Sequence, residues 1–267
     1  MAGDLVISTI NGGAIGAKNA IINGNFGINQ RGASGTVVLS AGVYGHDRWK
    51  AGASGCTYTF ATTNNVTTIT ITAGSLMQVI EGINLQSGTY TLSWAGTAQG
   101  QVDGGGYAGS GLTGTAVGGT NQTVEFGTGT VSLVQYEAGS VATPFEHRQY
   151  GQELALCQRY YEKSYDIGVV PGSITASGTI YRTLDAGPLS FASPGAIRFK
   201  VNKRATPSVL VYGTNTGASG TINLAGVDRA AVVLFIGETG ASTYVDNISG
   251  GTAGSSCSAH YTASAEL

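Results

Sequence analysis

Charged side chains are scarce in this chain. Lysine and arginine contribute 13 residues and aspartate and glutamate 15, so only 10% of the 267 positions are charged and the formal net charge is −2. Such a chain lacks the basic surface by which proteins bind nucleic acid, and no nucleic-acid partner is expected. Disordered chains combine high net charge with low hydrophobicity. A hydrophobic share of 42% instead indicates packed cores.

Long apolar runs and metal-ligand motifs are missing as well. No apolar run approaches the roughly 18 residues that cross a bilayer, so no membrane insertion is expected. The N-terminal sequence MAGDLVISTINGGAIGAKNA lacks the basic start and apolar centre of a secretory signal. Cys56, Cys157 and Cys257 lie far apart and fit neither a metal site nor a redox motif. We therefore expect no metal, no cofactor and three reduced, buried thiols.

Glycine is abundant, with 43 residues, and β-type patterns fill most of the chain. In VTTITIT at Val66–Thr72 isoleucine alternates with threonine, and TYTLSW at Thr89–Trp94 alternates in the same way. Such alternation is typical of half-buried antiparallel strands. Further strands are predicted at Val37–Leu39, Thr57–Ala61, Val131–Tyr136, Ile174–Thr183, Ala196–Val201, Ser208–Tyr212, Thr221–Leu224, Ala230–Ile236 and Ser258–Thr262.

These strands predict an all-β chain made of two antiparallel β-sandwich or jelly-roll domains. In the second domain, the run AVVLFI at Ala231–Ile236 is apolar on both faces and is predicted to be the central strand. The segment Ala95–Asn121 is so rich in glycine that an irregular loop is predicted there. Its alternative role is a receptor-facing or inter-subunit segment that exposes Asp103 and Tyr107.

One helical pattern interrupts the series of predicted strands after Pro144. Apolar residues recur there at intervals of three and four, which predicts a short amphipathic helix. Its stripe consists of Tyr150, Leu154, Leu156, Cys157, Tyr160 and Tyr161. So short a helix needs a surface to lie on, either a neighbouring sheet or the same helix of another subunit. Closed symmetry among identical chains would cover the stripe, which favours a homo-oligomer.

Catalytic patterns are weak. Gly109–Gly114 fits the GxGxxG spelling of a dinucleotide site, but the required strand, helix and acidic residue are missing. His46, His147 and His260 lie far apart and no G-x-S-x-G motif is present, so nucleophilic catalysis is not expected. Two carboxylates can cleave a glycosidic bond, and a depolymerase therefore stays open as an alternative.

A second group of scarce charges surrounds an aromatic residue. Arg31, Asp47 and Arg48 are accompanied by Trp49, on which an arginine could stack. A charged pair of this kind can brace a domain by fixing its segments against one another. Direct ligand binding is the other interpretation.

Three segments of the chain carry a family resemblance. They are NAIINGNFGINQRG at Asn19–Gly32, YGHDRWKAG at Tyr44–Gly52 and VQYEAGSVATPFEHRQYGQELALCQRYYEKSY at Val134–Tyr165. In this order they resemble tailed-bacteriophage tail-fibre and receptor-binding proteins, and KVNKRATPSVLVYG at Lys200–Gly213 is similar to the entry of the last domain in that family. The resemblance implies a jelly roll like a carbohydrate-binding module, a connector and a C-terminal β domain. It supplies no catalytic residues.

The resemblance implies four parts and a function. The parts are an attachment arm at 1–17, a jelly roll at 18–148, a connector helix at 149–165 and a receptor-binding sandwich at 166–267. The homotrimer would belong to the virion, with the arm on a tail or baseplate protein and the distal domain on a bacterial surface polysaccharide. The alternatives are a structural virion protein, such as a head fibre or baseplate connector, and the depolymerase.

Two sets of residues are candidates for these contacts. Aromatic rings stack on sugars and carboxylates accept sugar hydroxyls, so the carbohydrate contacts are predicted at Tyr107, Tyr212, Asp228, Tyr244 and Asp246. The connector and trimer contacts are predicted at Leu154, Cys157, Tyr160 and Tyr161.

Overall fold

The structure, a computed structural model, describes residues 18–184, 191–246 and 254–267. The predicted attachment arm at 1–17 lies outside these residues. The described chain is mostly β, with antiparallel sheets and one α-helix, which confirms the predicted all-β class. The homotrimer stays a prediction.

The chain divides into two compact units. Unit 1 comprises the residues up to Ile28, Ser34–Glu153 and Leu267, and unit 2 comprises Asn29–Ala33 and Leu154–Glu266. The division falls inside the α-helix, and a short piece of chain before residue 34 belongs to unit 2. The predicted domain limits stay predictions, because compactness alone does not show that a segment folds independently.

Unit 1 is β-sandwich-like, and its described residues form eight strands. They are β1 (Val37–Leu39), β2 (Lys50–Thr63), β3 (Val66–Ile80), β4 (Gly88–Ala95), β5 (Gly100–Val102), β6 (Leu112–Ala116), β7 (Gln122–Phe126) and β8 (Gly129–Ala138). The long strand β3 pairs with β8 through its first half and with β7 through its second half. Its two halves thus serve two groups of strands, β1-β2-β3-β7-β5 and β3-β8-β4-β6. They enclose a core that includes Trp49, Tyr58, Ile69, Leu92, Phe126, Val134 and Tyr136.

The buried side chain of Asn23 joins the segments that carry the family resemblance. Its amide nitrogen donates to the carbonyls of Ile28 and Asp47 at 2.8 and 3.0 Å, and the backbone carbonyl of Asn23 accepts from the Trp49 indole at 3.0 Å. The Asn23 backbone N–H donates to Glu153. A Cβ at the next residue, Gly24, would lie 2.2 Å from a backbone oxygen, so only glycine fits there. The motif residues thus hold unit 1 together.

In the part of unit 2 that the structure describes, ten strands form two sheets. They are β9 (Tyr161–Lys163), β10 (Ile180–Thr183), β11 (Phe191–Ala192), β12 (Ala196–Arg198), β13 (Ser208–Gly213), β14 (Thr221–Leu224), β15 (Val227–Ala230), β16 (Val232–Leu234), β17 (Gly240–Asp246) and β18 (Ser256–Ser264). Strand β18 pairs with β9, β10, β13 and β14, and β17 pairs with β11, β12 and β16. Side chains from both sheets form one core.

The prediction of the central strand of unit 2 is wrong. The run Ala231–Ile236 forms only the three-residue strand β16, which pairs with β17 alone among the described strands. Phe235 follows with a left-handed backbone (φ 51°) and is 84% exposed, so the run leaves the sheet at this point. The central position belongs to β18, whose residues 257–263 are all buried.

The α-helix, α1, is shorter than the predicted connector. It covers Tyr150–Gln158, and the chain re-enters a sheet as β9 at Tyr161 because Tyr161–Lys163 pair with Thr262–Ser264. Cys157, Tyr160 and Tyr161 are buried within the single chain, Leu154 is half-buried and Tyr150 is 56% exposed. The four predicted trimer contacts are thus covered wholly or in part within one chain, so they give the predicted trimer no support.

Candidate functional site

The glycine-rich segment of unit 1 forms a hairpin where an irregular loop was predicted. Gly100 and Ala108 exchange two backbone hydrogen bonds of 2.9 and 2.8 Å, and β5 forms the first arm. Asp103, Gly104 and Gly106 adopt left-handed backbone conformations with φ of 48°, 74° and 100°. Glycine adopts such angles without steric cost, which explains its concentration in this turn.

A half-open groove of about 180 Å³ lies on one side of the hairpin. It runs between the hairpin and β6, and Gly114 leaves part of its floor without a side chain. The lining residues are Val102, Asp103, Gly105, Gly106, Leu112, Thr113, Gly114 and Thr115. Bare backbone and small side chains let a ligand approach the main chain closely, because nothing large projects into the space.

The polar group of the groove is held in place by its neighbours. The Asp103 carboxylate accepts from the Thr123 backbone N–H at 2.6 Å and from the Gln122 side chain at 3.1 Å. Gln122 is buried, and its side-chain oxygen accepts from the Tyr136 hydroxyl at 2.7 Å. Asp103 itself is exposed. Its carboxylate is therefore oriented in advance and remains within reach of a ligand.

Tyr107 lies on the other side of the same hairpin. Its ring packs over Gly127, where an added Cβ would lie 3.6 Å from it, and 43% of the residue is exposed. Its hydroxyl interacts with Ser75, Gln101 and Glu125, and burial, followed by the Glu125 charge, raises the pKa of Tyr107. Gln101 donates to the same Glu125 carboxylate at 2.8 Å. An exposed aromatic ring thus stands beside fixed polar groups.

The predicted sugar contacts Tyr212 and Asp228 lie in the sheet of β18. Tyr212 packs edge-to-face on Tyr165 with ring centroids 6.1 Å apart. Asp228 accepts from the backbone N–H and the hydroxyl of Thr216 at 2.8 and 2.6 Å, and from Asn223 at 3.2 Å. Burial raises the pKa of Asp228, but these hydrogen bonds outweigh it, so the pKa lies below its usual value. The carboxylate of Asp228 therefore stabilises a turn through these hydrogen bonds.

We expect Asp228→Asn to weaken unit 2 by about 1–2 kcal/mol, because an amide cannot accept all of these hydrogen bonds. The lowered pKa of Asp228 also predicts how stability depends on pH. The carboxylate stabilises the fold above its ordinary pKa, and this stabilisation is lost as the pH falls. Urea unfolding at pH 7 and pH 3 measures both effects, with the exposed Asp166→Asn as the control. Equal stability of wild type and D228N at pH 7 would contradict the assignment.

The remaining predicted contacts, Tyr244 and Asp246, lie on β17 in the other sheet of unit 2. Tyr244 is half-buried and meets the ring of Phe191 edge-to-face at 6.2 Å, while Asp246 is exposed at the strand end. The structure therefore distributes the five predicted residues over three places. Asp228 lies close to the residues next to Tyr212, whereas Tyr107 lies in unit 1.

Sequence reasoning missed the residues around Tyr107. Ser75, Gln101 and Glu125 come from three different strands, and only the pairing of β7 with β3 and with β5 brings them together. Gln101 lies inside the glycine-rich segment, where no strand was predicted. No local pattern marks such a cluster, because its members are set by strand register.

One serine–histidine pair invites a catalytic interpretation. The Ser164 hydroxyl lies 2.8 Å from Nδ1 of His260, and Nε2 lies 3.1 Å from the Thr175 carbonyl. His260 is fully buried and stacks on Tyr165 at a centroid distance of 3.7 Å. The Ser164 oxygen also accepts from the Tyr261 backbone N–H at 3.0 Å. This imidazole is enclosed by the fold and presents no face to a substrate.

The charges around Trp49 brace the fold. Asp47, Arg48 and Trp49 are all buried in unit 1, and the Arg48 guanidinium donates to the Val79 carbonyl at 2.6 Å. In unit 2, Arg31 forms a 3.0 Å ion pair with Glu266. Buried charges bonded in this way hold segments together, as the bracing interpretation requires.

Comparisons with known proteins identify no family for this chain. No protein-family model matches the chain, and no curated protein matches it either. Among the described residues, no group of three or more His, Cys, Asp or Glu is arranged to hold a metal ion. In the same part of the chain, no helix has the length and apolar character needed to cross a membrane. The three cysteines are buried and form no disulfide with one another.

Proposed function

We propose that the protein is a virion attachment protein of the tail-fibre type and that the Gly100–Ala108 hairpin binds a glycan of the bacterial surface. The observation that carries the proposal is the exposed ring of Tyr107, fixed over Gly127 beside the carboxylate of Glu125. A tyrosine with one apolar surface and a polar tip suits a ligand that is apolar on its ring face and hydroxylated at its edge.

The two sides of the hairpin suit a short stretch of sugar chain. A groove of about 180 Å³ has room for a single small ring rather than for a large ligand, and Asp103 offers oriented oxygen acceptors in it. Tyr107 and Gln101 would meet a neighbouring sugar on the other side. Each contact is weak alone, and several copies of the site in one particle would convert weak binding into firm adhesion.

The remaining parts of the proposal follow from the family resemblance. The arm at 1–17 would bind a tail or baseplate protein, and the chain would act as a homotrimer in the virion. The β-sandwich-like structure is compatible with such a role. Recognition by the region 166–267 remains part of the proposal, with Tyr244 and Asp246 as its candidates.

Tyr107→Ala is expected to weaken glycan binding about tenfold, because an aromatic contact contributes up to about 1.5 kcal/mol beyond its buried area. The measurement is binding of the purified full chain to bacterial cells and to their isolated surface polysaccharides. Tyr107→Phe keeps the ring and should retain most of the affinity. Tyr181→Ala, which removes an exposed tyrosine of unit 2, is the matched control and should bind like wild type.

The same assay separates the rival functions. Release of reducing ends from a bound polysaccharide would identify a depolymerase. A full chain that binds neither cells nor polysaccharides would be a structural virion protein. Equal binding by wild type and the Tyr107→Ala variant would remove the hairpin from the proposal.

A further inference from the structure

We infer that the hairpin site takes glycans without acidic groups and rejects chains that carry uronate, sialate, phosphate or sulfate. This inference rests on the proposed function and specifies the class of sugar. It follows from the charges around the site and from the positions of the cations in unit 1.

Both ionisable acids at the hairpin are close to the places where a ligand would lie. Asp103 lines the groove and is exposed, and Glu125 is half-buried beside the Tyr107 hydroxyl. Their partners, Gln122 for one and Ser75 and Gln101 for the other, are uncharged. No positive charge therefore compensates either carboxylate through these bonds.

The described cations of unit 1 are all engaged elsewhere in that unit. Arg48 and Arg148 are buried or nearly so and donate to the carbonyls of Val79 and Ile21 at 2.6 and 3.0 Å. The other two are lysines, whose ammonium groups donate to carbonyls at 2.7 Å, those of Pro144 and Leu267. None of the four lines the groove or contacts Tyr107 in the described residues.

Within the described residues of unit 1, an acidic sugar at this site would therefore meet negative charge only. Two like charges about 5 Å apart at a wet surface repel by about 0.8 kcal/mol, which is roughly a fourfold loss of affinity for each carboxylate. An acidic group close to one carboxylate and farther from the other is disfavoured by between about fourfold and sixteenfold, so the expected preference for the uncharged chain is roughly tenfold. The hydroxyls of a neutral sugar, in contrast, can donate to both acids.

The test is a panel of immobilised bacterial polysaccharides of known structure, half of them neutral and half carrying uronic or sialic acid. The full chain is expected to bind neutral members, with an affinity that changes little between low and high salt. The double variant Asp103→Asn/Glu125→Gln should improve binding to acidic members roughly tenfold relative to neutral ones. The control is the exposed Glu238→Gln in unit 2, which also removes a negative charge but should leave the preference unchanged.

Three results would overturn the inference, and the third would overturn the proposed site as well. Acidic members bound more tightly than neutral ones, with Tyr107-dependent affinity that falls as salt rises, would show that the hairpin prefers anionic chains and leave the proposed function intact. An unchanged preference in the double variant would show that the two carboxylates do not select. Absence of any Tyr107-dependent binding would overturn the inference and the proposed site together.

Discussion

Replacing Glu162 with glutamine is expected to lower the free energy of unfolding of unit 2 by about 3–5 kcal/mol. The side chains of Glu162 and Lys203 are both 0% exposed, and their charged atoms lie 2.6 Å apart. Tyr261 donates to the same carboxylate at 2.8 Å, and the Lys200 backbone N–H does so at 3.0 Å. Removing one charge leaves the other buried without compensation, which costs far more than an exposed ion pair contributes.

The pKa of Lys203 is set by burial and by its charged partner, which act in opposite directions. Burial lowers this pKa, and the hydrogen bond and charge of Glu162 raise it again, with a net result below the usual value. In the glutamine variant the ammonium group keeps uncharged acceptors only, namely the carbonyls of Gln158 and Val201 and at most the new amide oxygen. The lysine in the variant must therefore lose its proton or draw water into the core, and either outcome loosens β9 and the loop before β13.

Hydrogen exchange of the β18 amides during urea unfolding measures this effect, because β18 pairs directly with the strand that contains Glu162. The double variant Glu162→Gln/Lys203→Met should be more stable than the single variant, since it leaves no buried charge. Lys200→Met removes an exposed lysine nearby and should cost little. A change below about 1 kcal/mol for E162Q would mean that the pair is solvated in solution.

Acid should destabilise unit 1 through His46, whose pKa burial lowers from 6.5 to about 4. The imidazole is 1% exposed, its Nδ1 lies 2.9 Å from the Tyr58 hydroxyl, and the ring of Phe60 meets it at 4.6 Å. Between these two pKa values the unfolded chain binds a proton that the native chain does not, so stability falls as the pH falls. The loss amounts to about 3 kcal/mol and is complete below pH 4.

His46→Asn isolates this contribution, because asparagine carries no charge at any pH. The variant should be less stable than wild type at pH 7.5, and the difference should shrink by about 3 kcal/mol on going to pH 4. Tryptophan fluorescence follows the unfolding of unit 1 alone, since both tryptophans, Trp49 and Trp94, belong to it. The exposed His147→Asn is the control. If the stability of wild type and of H46N changed equally with pH, the pKa of His46 would not be lowered by folding, and this prediction would be wrong.

Strands with regular alternation were predictable from the sequence, and those without it were not. Val37–Leu39 and Thr221–Leu224 have the predicted limits, because β-branched residues and turn signals mark them. Strands β5 and β6 lie in the glycine-rich segment, and glycine contributes nothing to an apolar pattern. The apolar run at Ala231–Ile236 was misassigned because hydrophobicity does not distinguish a central strand from a short one that ends in an exposed turn.

The end of the helix and the composition of the site depended on residues far away in sequence. Tyr160 and Tyr161 continue the helical period, yet β9 forms there because β18 offers a pairing partner about a hundred residues later. Tyr107 was predictable as an exposed aromatic residue in a polar segment. Glu125 was not, because its contact with the tyrosine depends on the register between β7 and β5.

The four-fold pairing of β18 has a consequence for the synthesis of the chain. Strands β9, β10, β13 and β14 all leave the ribosome before β18. Among the described strands the first three pair with β18 alone, while β14 pairs with β15 as well. Unit 2 therefore completes its sheet only after residue 264 has emerged, whereas the strands of unit 1 are complete by residue 138. Until then the edges of the earlier strands remain open to other nascent chains. The strands of unit 2 are therefore most exposed to wrong pairing during synthesis, while the chain is still close to the ribosome.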